Sequence, residues 1–140
     1  MSRAVAVDLG TRRIGVAVSD AAGSLAFPRP CIERRGDRAR EHRAIAEVVA
    51  EIGATVVVVG LPLSLSGGRG PAAVAAEDEA AELAAVLSAQ GAAVETYDER
   101  LTTVSARGAL VAAGKRPADR RGAVDSAAAA VLLQAWLERR

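Results

Sequence analysis

Residues 5–20 read VAVDLGTRRIGVAVSD, and the fold turns on how this stretch is taken. Two apolar, largely β-branched runs flank a turn containing Gly10, and each run ends in an acid, Asp8 and Asp20. The pattern predicts two strands joined by a short connection, with Gly10 supplying the turn geometry. A carboxylate at the end of a strand that is apolar on both faces is costly to desolvate unless something compensates it. A metal ion is one compensator. The plainer alternative is that Asp8 bonds a backbone N–H of the turn, as aspartates often do. This stretch alone leaves both readings open.

Working outward, Ser24 to Ile32 fits a third strand, and Pro28 and Pro30 place it at an edge of the sheet. Residues 34–43 read as a charged, solvated entry into a helix whose apolar face is Ile45, Val48, Val49 and Ile52, with Gly53 as its stop. The continuous run Ala54 to Val59 has the signature of a parallel strand buried on both faces. It leads through Gly60-Leu61-Pro62-Leu63 into a Ser/Gly loop that lacks the phosphate-binding G-x-x-x-x-G-K-[ST] pattern. A second helix is expected over Ala72 to Gln90, with Val74, Leu83, Val86 and Leu87 inward and Glu77, Asp78, Glu79 and Glu82 mostly solvated. A strand from Ala92 to Tyr97 follows, then a short helix capped by Thr102 or Thr103 and ending at Gly114. A basic connector over 115–121 precedes a last helix from about Val124 to Leu137. Three meandering strands followed by alternating helices and strands imply a mixed five-stranded α/β sheet with helices on both faces, in one domain spanning 1–140.

The composition narrows the function. In a chain of 140 residues, aromatic residues make up 2%, so base stacking is not the main recognition mode. The balance of 18 basic and 17 acidic residues allows no global polycation, so any nucleic-acid contact must come from a local patch. One cysteine, Cys31, excludes an intramolecular disulfide and a cysteine-based zinc site. The single histidine, His42, makes a nucleophile–histidine site a poor fit. Neither a signal peptide nor an apolar run long enough to span a bilayer is legible, so a cytoplasmic protein without membrane association is expected.

Three places carry acids in surroundings wrong for solvated charge: Asp8 after the first strand, Asp98-Glu99 after the last strand, and Asp125 opening the otherwise uncharged VDSAAAAVLLQAWL. Asp125 shares a helical face with Ala128, Ala129 and Leu132. Parallel strands would bring Asp8 and Asp98-Glu99 to one edge, the edge where open α/β sheets bind ligands. Carboxylates gathered there repel one another and raise at least one pKa unless divalent cations occupy the cluster. Oxygen-only ligands select hard ions, Mg²⁺ or Mn²⁺. One or two such ions can activate a water and stabilise the leaving oxygen of a phosphodiester. Individually, Asp125 could be a helix N-cap and Asp98 and Glu99 ordinary turn acids.

DLGTRRIGVAVSD, VVVGLPL with a Gly-rich loop, DERLTT and VDSAAAAVLLQ, in that order, resemble the YqgF/RuvX family of ribonuclease H-like proteins over essentially the whole chain. The resemblance implies a ribonuclease H-like fold. It also implies a divalent-metal-dependent endonuclease that matures the 5′ end of pre-16S rRNA, or a Holliday junction resolvase acting on four-way DNA. It carries the metal-binding and catalytic role onto Asp8, Glu99 and Asp125, with Asp98 in reserve for the second position. Candidate substrate contacts are Thr11, Arg12, Arg13, Gly60, Arg100, Thr102 and Thr103. The chain departs from the family pattern in the loop Ser64 to Gly70, which lacks the usual Asn and acidic residues, and before Asp125, where a basic residue is usual.

Three further questions stay open at this level. A non-catalytic nucleic-acid-binding scaffold in ribosome biogenesis would use the same surface. DLGT also resembles the phosphate-binding turn of the sugar kinase and actin ATPase superfamily, which needs two lobes where this chain has length for one. The protein could act as a monomer or a homodimer.

Overall fold

The structure, a computed structural model, describes residues 3–64, 66–102 and 120–140, with side chains in the last segment from Ser126 onward. Five strands form one mixed sheet in the order β3-β2-β1-β4-β5. They are β1 (Arg3–Leu9), β2 (Arg13–Ser19), β3 (Ala26–Glu33), β4 (Ala54–Leu61) and β5 (Ala93–Asp98). The first three form an antiparallel meander, and β1, β4 and β5 run parallel to one another. Among the described residues the α-helices are α1 (Arg38–Ile52), α2 (Pro71–Leu87) and α3 (Arg120–Arg139).

Side-chain alternation along the strands divides the core by size. Val5, Val7, Val57 and Val59 face α1 and α2, where they meet Ile45, Val49, Leu83 and Leu87. Ala4, Ala6, Val56 and Val58 face the other way and receive the bulk of α3, namely Leu132, Leu133, Trp136 and Leu137. Small strand residues under large helix residues fill the space at close-packed density. Asp8 belongs by parity to the α3 face, because residues two apart on a strand share a side.

Local signals explain most boundaries. Gly10 has room for no side chain: a β-carbon there would lie 2.6 Å from the Arg13 carbonyl, whose oxygen accepts from the Gly10 N–H at 3.0 Å. Gly53 ends α1 in the left-handed conformation (φ 67°), and Asp37 begins that helix by accepting from the Arg40 N–H. Pro28 and Pro30 lie in β3, an edge strand as expected.

Other expectations are corrected. β3 begins at Ala26 and reaches Glu33, and α3 begins at Arg120, four residues before Val124. In α2, Val74 and Val86 are 44% and 40% exposed, whereas Ala73, Ala76 and Ala80 are buried beside Leu83 and Leu87. The helix approaches the sheet along its small residues. Glu41, His42 and Glu79, read from sequence as solvated, are 2%, 2% and 4% exposed. The helix expected after Thr102 falls in residues 103–119, outside the described part. Among the described residues, no helix is long and apolar enough to cross a membrane.

Candidate active site

Asp8 sits at the carboxyl end of β1, and Glu99 follows the carboxyl end of β5 in a short 3-10 turn, Glu99–Leu101. Strand β4 lies between β1 and β5, so the two acids face each other across its end. That end carries Gly60, and a β-carbon added to Gly60 would come within 2.6 Å of Glu99 Oε1. Gly60 leaves the space that the Glu99 side chain fills.

The two carboxyls are coupled. Burial pushes the Asp8 pKa up, and a hydrogen bond with Glu99 offsets that only in part. Glu99 is pushed up by burial first, then by the charge of Asp8, by the hydrogen bond with Asp8 and by the charge of Asp98. Both carboxyls are thus held above their ordinary range in the absence of a cation. Two neighbouring, partly desolvated carboxyls are stabilised by a proton or a cation between them.

Neighbouring groups separate Glu99 from Asp98. Asp98 accepts from Arg100 Nε at 3.0 and 2.9 Å and from the Arg100 N–H at 2.9 Å. These contacts hold its carboxyl below the usual range. Asp98 thus caps the turn and pairs with Arg100, which leaves Glu99 as the acid turned toward Asp8. The Thr102 hydroxyl donates to the Glu99 carbonyl at 2.9 Å and fixes the same turn from its other end. Asp20, the second acid of the opening stretch, takes the plainer role: its carboxylate accepts from Ser24 and Leu25 and closes the β2–β3 turn.

A cleft of about 410 Å³ opens beside the pair, lined by Asp8, Glu99, Thr102, Ala128, Val131 and Leu132. Asp125 is three positions before Ala128 in α3, and its side chain lies outside the described residues. Among the described residues, no group of three potential metal ligands is found. The two acids present do fit a hard divalent cation: both are oxygen donors, both are partly buried, and their repulsion is a destabilisation that a cation would relieve. Arg12 and Arg13 are exposed on the β1–β2 turn, with Thr11 between them and Gly10. Arg13 also reaches Glu33 at 3.4 Å. Thr103 lies outside the described residues.

Sequence reasoning missed a buried ionic cluster next to this pair. Arg34 donates to Glu41 at 3.0 Å, to Glu79 at 2.5 Å and to the Gly10 carbonyl at 3.0 Å. His42 Nε2 lies 2.8 Å from the same Glu79 oxygen. Burial alone would raise the Glu79 pKa, but the hydrogen bonds with His42 and Arg34 and the charges of Arg34 and Arg38 together lower it. The signal was available: Glu41 and His42 share a helical stripe with Ile45 and Val49, and Glu79 shares one with Ala76, Ala80 and Leu83.

Among solved structures, Thermus thermophilus RuvC in complex with a Holliday junction substrate superposes with a TM-score of 0.65. It is 16% identical and the match covers 99% of this chain and 96% of that one, so the shared fold is ribonuclease H-like. A protein of Anaeromyxobacter dehalogenans named as a pre-16S rRNA nuclease is 46% identical over 99% of this chain and 98% of its own length. One of Leifsonia xyli with the same name is 44% identical over 94% of this chain and 83% of its own. The family model described as "RuvX: Holliday junction resolvase" matches residues 2–139, and the chain belongs to that family.

Proposed function

We propose that this protein is a divalent-metal-dependent endonuclease in which Asp8, Glu99 and Asp125 hold the metal. The observation that carries the reading is the coupled, half-buried pair Asp8 and Glu99 at the carboxyl edge of the sheet. A bound Mg²⁺ or Mn²⁺ would supply Lewis acidity at the scissile phosphate and lower the pKa of the attacking water. The chain's own part is to orient and to discriminate. Gly60 admits the Glu99 side chain, Thr102 and the Asp98–Arg100 pair fix its turn, and α3 walls the cleft with Ala128, Val131 and Leu132. Thr11, Arg12 and Arg13, on the turn directly after Asp8, are placed to meet the phosphate backbone.

The relatives' names favour the 5′ leader of pre-16S rRNA as substrate, and with it a cytoplasmic role in ribosome maturation. The family description and the RuvC-like fold favour four-way DNA as the second reading. Cleavage of a precursor 16S rRNA leader and of a four-way DNA junction, each with Mg²⁺ or Mn²⁺, separates them. RNA cut by the wild type and spared by Asp8→Asn supports rRNA maturation. Junction cut and RNA spared keeps the mechanism and changes the substrate. Neither cut, or both cut equally by Asp8→Asn, overturns the catalytic reading in favour of a binding scaffold.

A further inference from the structure

A second cleft, of about 620 Å³, starts at the same two acids and runs the other way, between the first turns of α1 and α2. Its floor is Gly10 and Thr11, one rim carries Gly36 and Arg38, and the opposite wall is Ala72 and Ala75 of α2. The α2 wall has no acid in the helix's first turn, and its side chains there are small. The two acids deeper in the cleft, Glu41 and Glu79, are both tied to Arg34. Beyond Asp8 and Glu99, an anion in the cleft therefore meets carboxylates already compensated by Arg34.

The cationic rim is assembled by tertiary structure. Residues 34–43 hold five arginines against Asp37 and Glu41. The Arg34 N–H donates to the Arg12 carbonyl at 2.9 Å, and Arg34 Nη1 donates to the Gly10 carbonyl at 3.0 Å. The β1–β2 turn and the approach to α1 are thereby stitched side by side, with Arg12 and Arg35 exposed on them. Arg38 follows, half exposed, and paired with Glu82 at 2.6 Å. Gly36, with φ +75° and nothing within 4 Å of a notional β-carbon, leaves the rim open at its middle.

We propose that this cleft carries one nucleic-acid strand away from the acidic pair, with Arg35 and Arg38 contacting its phosphates beyond the scissile one. The inference rests on the nuclease reading above and names where the substrate's flank lies. Phosphate contacts fix register without reading sequence, which suits arginines presented on a turn and a helix start. It assigns roles to two residues outside every motif that points to the acids.

The test is equilibrium binding of RNA leader oligonucleotides in EDTA across a salt series, alongside cleavage by the same preparations. Each phosphate contact to single-stranded nucleic acid contributes about 0.7 to the slope of log affinity against log salt. Arg35→Gln/Arg38→Gln should lower the slope by about 1 to 2, and the matching Arg→Lys pair should restore it. Shortening the oligonucleotide on one side of the cut should weaken wild-type binding and leave the Gln pair's unchanged. Arg140→Gln, the same kind of charge loss at the far end of α3, should leave the slope as it is. An unchanged slope in the Gln pair, or an equal drop in Arg140→Gln, overturns the cleft assignment while wild-type cleavage still stands. If the wild type neither binds nor cuts RNA or junction, the nuclease reading falls and takes this inference with it. Circular dichroism of the variants identifies any that misfold, and the Lys pair then decides.

Discussion

Gly60 and Glu99 compete for one space: the β-carbon that any other residue would place at position 60 falls 2.6 Å from Glu99 Oε1. The obstructed atom is the tip of a flexible side chain, so Gly60→Ala should displace the carboxylate rather than unfold the sheet. A glycine in a strand interior also costs backbone entropy, about 0.5–1 kcal/mol relative to alanine. Gly60→Ala should keep or slightly raise the melting temperature while cleavage falls by about tenfold or more. Thermal melts and cleavage rates on one preparation check this, and a destabilised, fully active variant would contradict it.

The coupled acids predict a pH signature in stability. Folding raises the pKa of Asp8 above 3.8 and of Glu99 above 4.5. Above those values the folded state holds more protons than the unfolded one, so this pair's contribution to stability declines as pH rises through the raised range. Asp98 and Glu79 are shifted down and act in the opposite sense, so the informative quantity is a difference between proteins. Without metal, the melting temperature of Asp8→Asn minus that of the wild type should grow from about pH 4 to pH 7. A flat or shrinking difference would mean the two carboxyls do not interact.

Divalent metal should reverse the comparison. A cation that binds the folded wild type stabilises it by mass action, whereas Asp8→Asn removes one of the proposed ligands. Saturating Mg²⁺ or Mn²⁺ should raise the wild-type melting temperature by several degrees and that of Asp8→Asn by clearly less. Equal shifts would place the metal elsewhere.

Arg34 is the residue whose loss should cost the most stability. It bridges Glu41 and Glu79, both nearly inaccessible, and removing it leaves two buried carboxylates facing each other. Breaking a buried ionic cluster by deleting one partner costs about 3–5 kcal/mol. Urea unfolding of Arg34→Ala, with the Arg34/Glu79 double-mutant cycle, measures it. A loss under about 1 kcal/mol would show the cluster to be worth no more than a surface pair.

Ser126 links stability to the site. Its hydroxyl, fully buried, accepts from the Val16 N–H at 3.0 Å, where β2 changes register against β3. Ser126→Ala leaves a buried backbone N–H unpaired, a cost of about 1–3 kcal/mol. Because Ser126 tacks the start of α3 to the sheet next to Asp125, cleavage should fall more than the stability loss explains. Rates measured well below the melting temperature test that excess.

The parts of this protein legible in its sequence are those decided locally. The β1–β2 pairing follows from Gly10 between two β-branched runs, β4 from an unbroken apolar run, and the end of α1 from Gly53. Asp8 and Glu99 stood out because charge followed strands that had no other reason to carry it. What escaped notice was decided at a distance. Arg34 and Glu79 are 45 residues apart: the helical stripe marks Glu79 as inward, but no local pattern announces which cation will meet it. Val74 and Val86 looked like core because they are the larger apolar residues of α2, yet close packing against β4 and β5 selects its alanines. Helix α3 starts early because one glycine, Gly122, costs only about 1 kcal/mol in a helix of 20 residues.

The prolines of β3 have a meaning for the whole molecule. An edge strand offers its outer amides to any chain that comes alongside, and a proline ring is tolerated there with its nitrogen turned outward. Buried Pro28 and exposed Pro30 therefore remove two backbone donors from that edge strand. A further strand laid along β3 would have to pair with a backbone short of those two donors.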